Sequence, residues 1–114
     1  MLRIYDYLKS KEIDVYFVGQ HKGECKSPYV VLKDDGTGGQ NGSNKIGAQT
    51  VDIIFFVPQN QFTKIISFKS TVKVYLKELN FLRYTGVEMG TITDDEKKAL
   101  TCSILYQIQK ELEV

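Results

Sequence analysis

Ser27-Pro28-Tyr29-Val30-Val31-Leu32-Lys33-Asp34-Asp35-Gly36-Thr37-Gly38-Gly39-Gln40-Asn41-Gly42-Ser43-Asn44-Lys45-Ile46-Gly47-Ala48-Gln49-Thr50-Val51-Asp52-Ile53-Ile54-Phe55-Phe56-Val57-Pro58 reads as a strand, a long glycine-rich connection and a second strand. β-branched and aromatic runs bounded by turn residues carry the strand signal. Pro28 suits the start of a strand, where no ladder donor is needed, and Pro58 stops the second arm. Five of the chain's nine glycines fall between Asp34 and Gly47, with no apolar residue before Ile46. A hairpin needs only about two to five loop residues. A much longer polar loop is expected either to be disordered or to be kept for contact with a partner.

In the second arm Gln49, Val51, Ile53, Phe55 and Val57 share one face, which is expected to meet the core. Thr50, Asp52, Ile54 and Phe56 share the other, which turns apolar at its end. A strand apolar on both faces is either central in a covered sheet or continued into a partner.

On the N-terminal side, residues 1–13 carry Leu2, Tyr5, Leu8 and Ile13 on one stripe and predict a short docked helix. Val15-Tyr16-Phe17-Val18 predicts a brief strand, followed by a polar connection through Cys25. On the C-terminal side, residues 59–80 fit two periods. The spacing of Phe62, Ile65, Ile66, Val72, Tyr75, Leu76 and Leu79 favours a helix, with Lys69, Lys73 and Lys77 stacked on another face. Phe81–Gly90 predicts a strand broken by glycines, and Asp94–Lys98 a charged connection. Leu100 to Gln109 alternates with a period of two, the cleanest strand signal in the chain. The reading is a single α+β domain over residues 1–114, with a mainly antiparallel sheet of four to five strands packed against two helices and a long Gly-rich hairpin loop.

Composition bounds the function. At 114 residues the chain can bury a core without staples, and its net charge of +1 gives no bulk field for nucleic acid. Cys25 and Cys102 lack zinc spacing and read as two free thiols of a reducing compartment, although their sequence positions leave a disulfide open. No run approaches the roughly 20 apolar residues of a membrane span, and no secretory leader pattern is visible. Asn41-Gly42-Ser43 matches a glycosylation sequon by chance on that reading.

The glycines invite a phosphate-site reading that the spacing removes. Gly42 and Gly47 have P-loop separation, but Ala48 and Gln49 stand where Lys and Ser or Thr are required. The dinucleotide pattern would need glycine at Asn41, and the loop leads into a strand rather than a helix N-terminus. His21, the sole histidine, lies near Cys25 without a nucleophile elbow. Asp34-Asp35 and Asp94-Asp95 fit turn chemistry and match no calcium loop. No catalytic residue, metal site or cofactor is assigned. What a free monomer leaves unexplained is a long polar loop, a doubly apolar strand end and a lysine stripe, and these suit a subunit that assembles.

The layout resembles the tail terminator, or tail-completion, proteins of phages with long non-contractile tails. The resemblance covers nearly the whole chain: an N-terminal helix, Ser27–Leu32, the Gly/Asn/Ser loop, Thr50–Val57, a helix ending Val74-Tyr75-Leu76-Lys77-Glu78-Leu79, then Thr91–Asp95 and Leu100–Ile108. It implies an α+β fold in a hexameric ring that caps the head-proximal end of the tail tube, halts tube growth and offers a joining surface to the head. The implied partners are other copies of the chain, the major tail tube protein and a head–tail connector or stopper protein, with no membrane and no sequence-specific nucleic acid. The implied location is the virion neck, after assembly in the bacterial cytoplasm. The assembly candidates, drawn from the residues themselves, are Asp34, Asp35, Gly36, Gly38, Gly39, Asn41, Gly42, Lys45, Ile54, Phe56, Lys69, Lys73 and Lys77. Alternatives are another neck component or a small ligand-binding domain using the Gly-rich loop.

Overall fold

The computed structural model describes residues 2–39 and 46–111, with side chains described over 2–36 and 49–108. Two helices and five strands follow in the order α1 (Leu2–Ser10), β1 (Val15–Phe17), β2 (Tyr29–Gly39), β3 (Ile46–Pro58), α2 (Phe62–Leu76), β4 (Leu82–Asp94) and β5 (Ala99–Glu111). They form one mixed sheet in the order β1-β2-β3-β5-β4, giving an α+β fold. Its ladders are antiparallel except for β1 against β2, which run parallel with Val15 opposite Val30. The expected order of elements is the observed one, and residues 62–76 take the helical of their two readings.

Both helices lie on one face of the sheet. Val30 and Leu32 of β2, Val51, Ile53, Phe55 and Val57 of β3, and Cys102, Ile104 and Tyr106 of β5 point into this layer. Ile4 and Leu8 of α1 and Ile65, Val72 and Leu76 of α2 close it from above. The steps of seven and four along α2 put its buried residues on one stripe. Phe68 adds an edge-on contact to Phe55 at 6.0 Å. Pro58 and the following turn separate β3 from α2, whose N-terminus has no side-chain cap. Packing of the stripe therefore carries this helix rather than capping.

Three expectations need correction. The buried stripe of α1 runs through Ile4 and Leu8, while Leu2 is exposed, because at about 3.6 residues per turn Ile4 and Leu8 lie close together around the axis and Leu2 falls on the far side. On α2, Phe62 and Ile66 are exposed instead of joining the core face, since Ile65, Val72 and Leu76 set the docked stripe and leave the other two beside it. Pairing also reaches into the stretch read as loop. Gly36 pairs Thr50, and the ladder continues through Gly39 opposite Gly47. Backbone hydrogen bonding needs no apolar side chain, so absence of hydrophobic pattern does not end a hairpin arm.

A register shift between Asp34 and Gly36 interrupts that ladder. Gly36 sits at φ +109° and donates its N–H to Asp34 Oδ1 at 2.8 Å. Glycine supplies the positive φ that this bulge requires. Residues 40–45 lie outside the described residues.

The 18–28 connection that returns from β1 to β2 passes beneath the sheet, on the face away from the helices. Cys25 N donates to Lys97 O at 2.7 Å and fastens it to the β4–β5 turn. Beneath it Cys25, Tyr29, Phe56 and Ala99 form a second, smaller buried cluster. Tyr29 stacks on Phe56 at 4.9 Å and on His21 at 4.0 Å. Cys25 and Cys102 are both free and occupy different clusters.

Candidate functional site

Among the described residues, the helix-free face of the sheet is covered at its Tyr29–Phe56 end. Further along, Val31, Asp52, Ile54, Thr101, Ser103 and Leu105 share this face by register. Two irregularities in β4 extend it. Between Tyr84 and Glu88 four positions of β4 pass two of β5, and between Met89 and Ile92 three pass two. The second shift reverses the strand's alternation, so Met89 opposite Ser103 and Ile92 opposite Thr101 both point to the helix-free side. Met89 is 59% exposed and Ile92 60%. With Ile54 and Asp52 they line a shallow depression of about 150 Å³.

Asp52 sits in the middle of this face and is half-buried. Burial raises its carboxyl above the usual range, with the nearby Asp35 charge adding to the rise. The Ser103 hydroxyl, which donates to it, and the Lys33 ammonium pull the other way. A carboxylate held among apolar groups on an open sheet is costly to dehydrate further and is a determinant of what can pack there.

A second feature lies on the helix side, between α2 and β4. Lys69 Nζ is 3.0 Å from Glu88 Oε1 and Lys73 Nζ is 3.0 Å from Glu88 Oε2. The Tyr84 hydroxyl also donates to Glu88 Oε2. These contacts hold the Glu88 carboxyl down at about 2, with the Tyr84 hydrogen bond the largest cause, followed by the two lysines. Beside the cluster is a cavity of about 400 Å³ bounded by Lys73, Leu76, Lys77, Leu82, Tyr84 and Tyr106.

The candidates from the sequence are thus dispersed. Asp34 and Asp35 flank the β2 bulge, with Asp35 3.8 Å from Lys33. Gly36, Gly38 and Gly39 belong to the paired part of β2. Asn41, Gly42 and Lys45 lie outside the described residues. Ile54 is on the open face, but Phe56 is buried under the 18–28 connection and stacked on Tyr29. Lys69 and Lys73 are drawn to Glu88, while Lys77 is exposed.

Sequence reading missed Met89, Ile92 and Glu88. The glycines at 86 and 90 were the available signal, since a glycine inside a strand pattern marks a bulge. Among the described residues no cluster of His, Cys, Asp and Glu could hold a metal ion, and no helix is long and apolar enough to cross a membrane. No protein-family model matches the chain, and no curated protein matches it closely enough to count as a relative.

Proposed function

We propose that the protein is a structural, non-enzymatic subunit of a ring that caps a phage tail tube at its head-proximal end and provides the surface to which the head joins. The observation that carries this reading is the helix-free sheet face, where among the described residues Met89 and Ile92 are exposed beside the half-buried Val31 and Ile54, opposite the helix layer. A two-layer sheet buries one face against its helices, and exposed apolar side chains on the second face offer a surface for contact. On this reading one copy's exposed face meets a different surface of the next, a head-to-tail contact that closes into a ring when the rotation allows. The β2–β3 hairpin, paired out to Gly39 and Gly47 alongside Lys110 of β5, supplies a three-stranded projection for reaching a neighbour or the tube. On this reading the glycine-rich segment is an assembly arm and Ile54 a contact residue.

Mass measurement in solution and negative-stain imaging, with and without purified tail tubes, test it. Rings, free or seated on one end of the tubes, are the expected result. Monomers at every concentration that also ignore added tubes would overturn it. A saturable heat with ATP, GTP or NAD in the absence of assembly would replace it with a ligand-binding domain.

A further inference from the structure

We propose that the pocket between α2 and β4 receives an extended acidic segment, Glu111-Leu112-Glu113 of a second copy of this chain. The wall of the pocket is basic. Lys69, Lys73 and Lys77 follow one another at four-residue steps along α2 and its C-cap, and the single Glu88 carboxylate is shared by the first two. Lys77 makes no ion pair among the described residues. Lys73 and Lys77 stand on the rim of a cavity floored by Leu76, Leu82 and two tyrosine rings, and Lys73 already shares Glu88 with Lys69, which lies off the rim. An occupant must bring negative charge for the rim and apolar volume for the floor.

Spacing selects a polypeptide over a compact anion. Lysines four residues apart on a helix are displaced by about 6 Å along its axis. Alternate side chains of an extended strand are about 6.6 Å apart and point the same way. A Glu-x-Glu segment lying along α2 thus matches consecutive lysines, while the intervening side chain turns to the opposite side, toward Leu82 and Tyr84. Glu111-Leu112-Glu113 has this pattern, and β5 is already extended at Glu111.

Within one copy, the described end of β5 lies away from the pocket. Glu111 is opposite Ile46, beyond the Leu82–Ile108 pairing, and five residues along β5 from Tyr106. That separation is about 17 Å of strand heading away from the pocket. A neighbouring copy has no such constraint, and the contact it makes is head-to-tail. The use of this contact in a ring rests on the assembly reading above, but the binding itself is measurable without a ring.

A fluorescein-labelled peptide of residues 107–114 titrated into the full chain, followed by anisotropy at low and high salt, tests the proposal. Saturable binding that weakens with salt is expected. Lys77 is exposed and outside the Glu88 cluster, so Lys77→Glu keeps the fold, which circular dichroism verifies. This variant is expected to bind about tenfold more weakly, because an attraction becomes a repulsion. A peptide with Glu111→Gln and Glu113→Gln is expected to lose binding. Absence of saturable binding, equal binding by Lys77→Glu, or equal binding of a peptide in which the order of Leu112 and Glu113 is exchanged would each overturn it. If rings form while the peptide fails to bind, this inference falls and the assembly reading stands. If the peptide binds and no ring forms with or without tubes, the assembly reading falls alone.

Discussion

Lys73 Nζ of α2 lies 3.0 Å from Glu88 Oε2 of β4, tying the helix to the edge strand of its own sheet. Lys69 grips the other oxygen of the same carboxylate. Two of the three lysines that the sequence stacks along one helix face, Lys69 and Lys73, therefore form an internal strap. The pairs are partly exposed, so solvent screens them and each contributes modestly.

Replacing Glu88 with Gln is expected to cost about 1 kcal/mol near neutral pH, read from urea unfolding. The pH dependence gives a sharper check. The folded carboxyl is held at about 2, below its ordinary 4.5. Its contribution is present above 4.5 and is lost as the pH falls from there through about 2. Wild-type stability should fall across this window more steeply than that of Glu88→Gln. Parallel curves for the two proteins would rule the strap out as the source.

His21 gives a second titration with the same direction of pH dependence and a different cause. Burial, assisted by the Lys97 charge, lowers its pKa below the ordinary 6.5. The fold therefore prefers the neutral ring, and its contribution is present above the unfolded value and is lost as the pH falls through the lowered one. His21→Phe keeps a ring on Tyr29 and cannot take up a proton. From about pH 8 to about pH 5 its melting temperature should drop less than that of wild type. Because the chain has one histidine, its ring proton resonances report the pKa directly, and a value above 6.5 would refute the assignment.

How far these features were legible in the sequence varies with the physics behind them. Val51, Ile53, Phe55 and Val57 were readable as the core face, since strict alternation over a central strand leaves one solution. Ile65 and Leu76 were readable from helical period, but Phe62 and Ile66 were not separable from them. A stripe broad enough to include all four fixes a face only when its docking partner is known. Met89 and Ile92 escaped because a bulge between them breaks the period of two on which strand reading depends. The Glu88 strap escaped because it joins residues 15 and 19 positions apart through tertiary packing.

The first bulge has its own test. Gly86 lies within it at φ +84°, and nothing would obstruct a Cβ there. Substitution cost is then backbone strain alone. Gly86→Ala should lose about 1 kcal/mol, and Gly86→Asn less, since asparagine tolerates positive φ better. Urea unfolding of the pair checks both size and order. An alanine variant as stable as wild type would mean that the bulge relaxes to negative φ without loss.

Ile53 and Ile54 are neighbours in β3 with opposite fates, and they separate folding from assembly. Ile53 is fully buried beneath the helices, whereas Ile54 faces the open side of the sheet. Ile53→Asp places a carboxylate in the core with no partner and should cost more than about 4 kcal/mol, enough to abolish the cooperative melt. Ile54→Asp adds a charge near Asp52 on a face that still reaches water, so the domain should fold and melt cooperatively. Under the assembly reading this second variant should fail to form rings or to seat on tail tubes, because an interface core does not tolerate an unpaired charge. Thermal melts followed by mass measurement on the same samples check both halves. A well-folded Ile53→Asp would mean that the facing of β3 is reversed. A folded Ile54→Asp that still assembles like wild type would take the open face out of the interface and leave the hairpin and the α2–β4 pocket as the surfaces to pursue.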